Sequence, residues 1–133
     1  MLDLRAFRTG ADEARDRLAR RDDPAVLEAL DRALALDARR REVISEVEVL
    51  KARRNDVSRE IGERKREGAD AGDLIAGMQR VADQIRDLDA GLQQVEDALG
   101  SELLSIPNVP DERVPPGGEG DFEIVREWGA EPD

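Results

Sequence analysis

The 133-residue sequence contains neither cysteine nor histidine. Without cysteine there is no disulfide, no thiolate nucleophile and no cysteine-based zinc site. Without histidine the commonest general base and metal ligand near neutral pH is missing, and Ser45, Ser58, Ser101 and Ser105 have no imidazole to activate them. Aromatics make up only 2% of the chain, and none falls between Phe7 and Phe122. Stacking on single-stranded bases is thereby excluded over the whole middle of the molecule. No apolar run approaches the roughly 20 residues that span a bilayer, and Met1-Leu2-Asp3-Leu4-Arg5 does not open a secretory signal. A GxxxxGK[ST] phosphate loop and a GxGxxG turn are both absent. The acidic pairs Asp22/Asp23 and Asp111/Glu112 read as caps and linker charge rather than as acid–base pairs or metal ligands. The chain is expected to hold no catalytic site, metal or cofactor, and to reside in the cytoplasm.

What is abundant is charge, at 40% of residues. Such a composition suits elongated helices, where a narrow apolar seam suffices and most positions face water. An all-α fold follows. Thr9-Gly10-Ala11-Asp12 resembles a capping box opening a short helix over about 10–20. Asp23 followed by Pro24 is a strong helix start, with a carboxylate at the cap and proline at the first helical position. The helix it opens runs to about Glu67, where Gly68 can end it in a left-handed conformation. At about 1.5 Å per residue it would be roughly 65 Å long. After a turn over 68–73, a second helix runs from about Ala71 or Asp73 to Ser105, and Pro107 stops it. Leu74, Met78, Val81, Ile85, Leu88, Leu92, Val95 and Leu99 alternate by four and three along this second helix. Val43, Val47, Leu50, Arg54, Val57, Ile61 and Arg64 do the same along the first. Two such seams joined by a tight turn make an antiparallel coiled-coil hairpin. Arg54 and Arg64 interrupt the seam; the stem of Arg64 is expected to cover it while its guanidinium reaches solvent, whereas for Arg54 that reading and a functional one both stand open. Beyond Ser105 the prolines at 107, 110, 115 and 116, with Gly117, Gly118 and Gly120, read as an extended connector over 107–133. Within it, 121–128 could hold a short strand, with Phe122, Ile124 and Trp128 on one side and Val125 on the other.

The net charge of −11 conceals an uneven distribution. Residues 51–67 carry seven basic and four acidic side chains, whereas 69–133 carry four basic and sixteen acidic. With Val47, Arg54 and Ile61 at heptad position a, the e positions are Lys51, Ser58 and Lys65. The b positions are Asn55 and Gly62, and the f positions are Ala52, Arg59 and Arg66. These three lines adjoin on the helical wheel and contain no acid. The acids sit at c (Asp56, Glu63) and g (Glu60, Glu67). On the second helix the b line reads Gln79, Arg86, Gln93. One face of the distal hairpin should therefore be basic, hydrogen-bonding and interleaved with small residues. That chemistry suits phosphate and sugar, read as the shape of an RNA stem. The plainer alternative is a solvated coiled-coil surface, with Glu60/Arg64 an ordinary supporting pair.

The run Arg54-Asn55-Asp56-Val57-Ser58-Arg59-Glu60-Ile61-Gly62, continuing through Lys65 to Gly68, resembles the distal first-helix segment of bacterial-type seryl-tRNA synthetases. The opening MLDLR, the segment LLSIPNVP at 103–110, Val114-Pro115 and the closing Arg126-Glu127-Trp128-Gly129 fall in that family's order. The resemblance covers essentially the whole chain. It implies a helical arm, over 1–106, that clasps the long variable stem of tRNA(Ser), not DNA and not a membrane, in an enzyme that is a homodimer. ATP and magnesium would belong to a catalytic domain, whose motifs are missing before the chain ends at Asp133. The chain would be either a truncated piece of the enzyme or a free-standing arm. By matching position, Asn55, Ser58, Arg59, Lys65 and Arg66 are the expected RNA contacts, with Lys51, Arg53, Gln79 and Arg86 as secondary candidates. Asp111 stands where the family often has histidine. The rival from another class is a protein-interaction or scaffolding hairpin.

Overall fold

The computed structural model describes residues 4–117, 120–124, 126, 128 and 129, and the side chains of these other than Ala6, Thr9 and Ala11. Among the described residues there are four helices and no strand: α1 Leu4–Thr9, α2 Ala11–Ala19, α3 Pro24–Arg66 and α4 Gly72–Ser105. They belong to two compact units, each of which takes part of the long helices. One comprises Met1–Ala33 with Glu102–Asp133, the other Leu34–Ser101.

The first unit begins differently from expectation. Residues 4–9 form α1, too short a stretch to show a period in the sequence, and Thr9 is its last residue. Gly10, rather than Thr9, is the cap residue of α2, and the expected capping bond of the Thr9 side chain lies outside the described side chains. Leu4 and Phe7 are three apart on α1, and Ala14 and Leu18 are four apart on α2; all four are buried. A leucine and a phenylalanine seeking burial draw this segment into the core with Val26, Leu30, Leu103 and Ile106, also buried. The turn into α3 uses a left-handed Asp22 at φ 51°, a conformation that aspartate tolerates better than most residues. Asp23 then caps α3 as expected, its Oδ1 accepting the Ala25 N–H at 3.0 Å.

After Ile106 the connector is docked rather than loose. Arg17 donates to the Pro110 carbonyl at 2.6 and 2.9 Å, Arg21 to Asn108 at 2.9 Å, and Arg20 to Glu112 and Val114 at 2.9 and 3.4 Å. The acceptors are alternate residues, Asn108 and Pro110 in the irregular stretch after α4 and Glu112 and Val114 in the turn that follows. Prolines in such a segment cannot pair through N–H groups, so guanidinium groups from α2 (Arg17) and from the turn that follows it (Arg20, Arg21) satisfy the carbonyls. The segment closes in a turn, with the Val114 N–H bonded to the Asp111 carbonyl at 3.0 Å. Beyond it, 121–124 have no regular structure, and Phe122, Ile124 and Trp128 are exposed. The expected strand is not formed by these residues, because a lone strand has no neighbour to take its hydrogen bonds; Val125 lies outside the described residues.

The second unit is the hairpin. Val43 and Val47 of α3 pack with Val81 and Ile85 of α4 in one apolar cluster, extended by the half-buried Leu50, Leu88 and Leu92. These are the seam positions that the heptads named. Passing from Arg40 to Ser58 to Arg64 on α3 is matched by passing from Glu96 to Met78 to Asp73 on α4, which establishes the antiparallel register. At the tip Gly68 adopts φ 70°. Its N–H bonds the Lys65 carbonyl at 3.3 Å, and the Ala69 N–H bonds the Arg64 carbonyl at 2.8 Å. Those two bonds are a Schellman closure, which satisfies carbonyls left open at the helix end. Asp70 restarts the chain by accepting the Gly72 N–H at 3.0 Å.

Candidate nucleic-acid interface

All nine residues singled out for RNA contact lie in the second unit, and all are exposed. Helical periodicity sets Lys51, Ser58 and Lys65 along one line of α3, with Asn55 and Gly62 on the line beside it and Arg59 and Arg66 on the next. Arg53 is two residues from Lys51, so it points about 200° away around the axis and is not brought to this face.

The side chains differ in what already holds them. Lys51, Arg53, Asn55 and Lys65 make no side-chain hydrogen bond or ion pair among the described residues. Arg59 sits 3.6 Å from Asp56, a loose pair with both groups 73% exposed and therefore worth little. Arg66 donates its Nε to the Gly62 carbonyl at 3.2 Å. Together with Arg64 and Lys65 it places three cations in the last turn of α3, where the helix dipole favours positive charge. The Ser58 hydroxyl donates to the Met78 sulfur at 3.3 Å, a weak acceptor that a phosphate or ribose oxygen would readily displace.

On α4 the arrangement departs from expectation. The b line is free of acids, but Asp83 on the adjoining line takes both candidates. Arg86 pairs with its Oδ1 at 2.7 Å, and the Gln79 amide donates to the same oxygen at 3.3 Å. A carboxylate one helical turn away engages each residue, in a surface pair that is also weak, since Arg86 is 73% exposed. The cationic surface is thus carried by α3.

Arg64 is also committed, reaching Glu60 at 3.0 Å and Asp73 at 3.1 Å, so that it fastens the tip from α3 to α4. Its side chain is only 36% exposed, in keeping with a stem laid along the seam. Arg54 is the opposite case. It is exposed and makes no side-chain hydrogen bond or ion pair among the described residues, although its heptad position is a seam position.

The model of one protein family, the seryl-tRNA synthetase N-terminal domain, matches residues 1–110. The chain belongs to the seryl-tRNA synthetase N-terminal domain family. The match contains α1 to α4 and every candidate contact, and it ends within the arginine-bound stretch of the connector. Among solved structures, the chain is similar to seryl-tRNA synthetase from Pyrococcus horikoshii complexed with ATP, with a TM-score of 0.85 and 27% identity. That likeness covers 97% of this chain and 29% of the archaeal one, so the chain spans under a third of the enzyme it resembles. No curated protein matches. Among the described residues, no helix is long and apolar enough to cross a membrane.

Proposed function

We propose that this chain is the RNA-holding arm of a seryl-tRNA synthetase, gripping the long variable stem of tRNA(Ser) while ATP-dependent serylation takes place in another part of a homodimeric enzyme. The observation that carries the reading is the exposed, acid-free face of distal α3, with Lys51 and Lys65 unpaired, in a chain whose net charge is −11. In so acidic a protein a local excess of cations attracts phosphate only where it is presented, and the acidic remainder repels nucleic acid elsewhere. Lys51, Lys65, Arg59 and Arg66 would meet phosphates. Asn55 and Ser58 would donate to phosphate or ribose, and Gly62 would admit the RNA backbone closely. Base reading is not required, because a wide shallow minor groove is recognised by shape and by its 2′-hydroxyls.

Gel-shift comparison of serine tRNA with a form lacking the long variable stem tests this reading. The chain should prefer the intact RNA by about tenfold or more, and its affinity should fall linearly on a log–log plot against salt. Equal binding to both RNAs, or none to either, would refute it. A protein-binding hairpin has one observation in its favour, an open groove of about 640 Å³ lined by Val49, Leu50 and Leu88 with Glu46 and Asp87 beside them. That reading gives no dependence of RNA binding on the variable stem.

A further inference from the structure

The seam of the hairpin is interrupted on α3 between Val47 and Ile61. Both of those are buried, while Leu50 and Val57 between them are only half-buried and Arg54 at the centre is exposed. By heptad logic a leucine belongs at Arg54, and an arginine there forgoes apolar burial. Intramolecular pairing does not account for it. The register that sets Ser58 against Met78 puts Arg54 level with Ala82, beside Asp83. Asp83 is the nearby acid of α4 by that register, and it is occupied by Arg86 at 2.7 Å. Arg54 is left unpaired among the described residues. Three residues before it lies Lys51 and four after it Ser58, so its guanidinium stands over the same stripe as the candidate contacts.

We infer that Arg54 is an RNA-binding residue placed in the seam at the expense of packing, giving the α3 face a planar, bidentate phosphate donor between Lys51 and Ser58. The inference rests on the RNA-binding reading above and adds a residue to it. Local rules of packing are broken where function requires it, and stability is the quantity given up. A guanidinium matches two phosphate oxygens at once, which an ammonium cannot do.

The test compares the chain with Arg54→Leu and Arg54→Lys in binding to serine tRNA across a salt series, together with thermal unfolding. Arg54→Leu should extend the apolar seam and raise Tm by about 4 °C, while RNA affinity falls about tenfold. The log–log salt slope should become shallower by about one phosphate contact. Arg54→Lys should keep the slope and recover part of the affinity. If Arg54→Leu binds as tightly as the unaltered chain, Arg54 is a misfit in the seam and the inference fails while the broader reading stands. If the unaltered chain itself shows no affinity for the RNA, both fail together.

Discussion

At the scale of single residues, Asp111 shows how a connector position can be given a definite structure. Its carboxylate accepts the Arg113 backbone N–H at 3.0 Å and the guanidinium at 2.9 and 3.3 Å. The guanidinium hydrogen bond, then the backbone one, pulls its pKa from 3.8 to about 2. A depressed carboxylate pKa means that the stabilisation of the turn is complete above the ordinary value and disappears as pH falls through about 2. Carbon NMR titration of the Asp111 carboxyl should therefore show a midpoint near 2, and Arg113→Ala should return it toward 3.8. An unchanged midpoint in that variant would remove Arg113 as the cause. Gly62 makes a second residue-level case. A β-carbon there would meet nothing within 4 Å, so packing within the chain does not require glycine. Gly62→Ala should raise stability by about 0.5–1 kcal/mol in urea unfolding. If RNA approaches closely at this point, the same variant should bind it severalfold more weakly; undiminished binding would place Gly62 outside the contact.

At the scale of elements, the long helices were legible because each boundary rests on local chemistry. Asp23-Pro24 starts α3, Gly68 closes it and Pro107 follows the end of α4. The seams repeat often enough that Val43, Val47, Val81 and Ile85 were placed in the core by counting alone. Three features were not legible. Residues 4–9 are too short to display a period and became helical through burial of Leu4 and Phe7. Asp37 is only 1% exposed, held by Arg40 at 3.7 Å and Arg41 at 3.4 Å, where periodicity alone gives no reason to bury a carboxylate. The docking of the connector needs arginines of α2 and of the turn after it to meet carbonyls some ninety residues later, and pattern reading does not see contacts so distant in the chain. Replacing Arg17 and Arg20 together with alanine should leave the far-ultraviolet helical signal unchanged. Amide exchange at Val114, whose N–H bonds the Asp111 carbonyl in the docked turn, should accelerate by at least about tenfold, reflecting two or more lost charge-assisted bonds nearby. Exchange that stays slow would mean the connector is held by something other than these carbonyl contacts.

At the scale of the whole molecule, charge is sorted as well as abundant. The basic excess of residues 51–67 sits on one helix in a chain of net charge −11, and the heptad keeps its acids off three adjoining lines. The sequence was sufficient to name that face, because which residues share a helical line follows from their spacing. It was insufficient to rank its members, since rank depends on which side chains find partners. Asp83 engages Arg86 and Gln79, and Glu60 with Asp73 holds Arg64, whereas Lys51, Lys65 and Arg54 are unpaired among the described residues. The proposal that this surface lies along an RNA stem is tested most directly by mapping amide and side-chain NMR perturbations on the isotope-labelled chain during titration with serine tRNA. The largest changes should run along α3 at Lys51, Arg54, Asn55, Ser58, Arg59, Lys65 and Arg66. Changes centred instead on Val49 and Leu88, or on Phe122 and Trp128, would contradict the account.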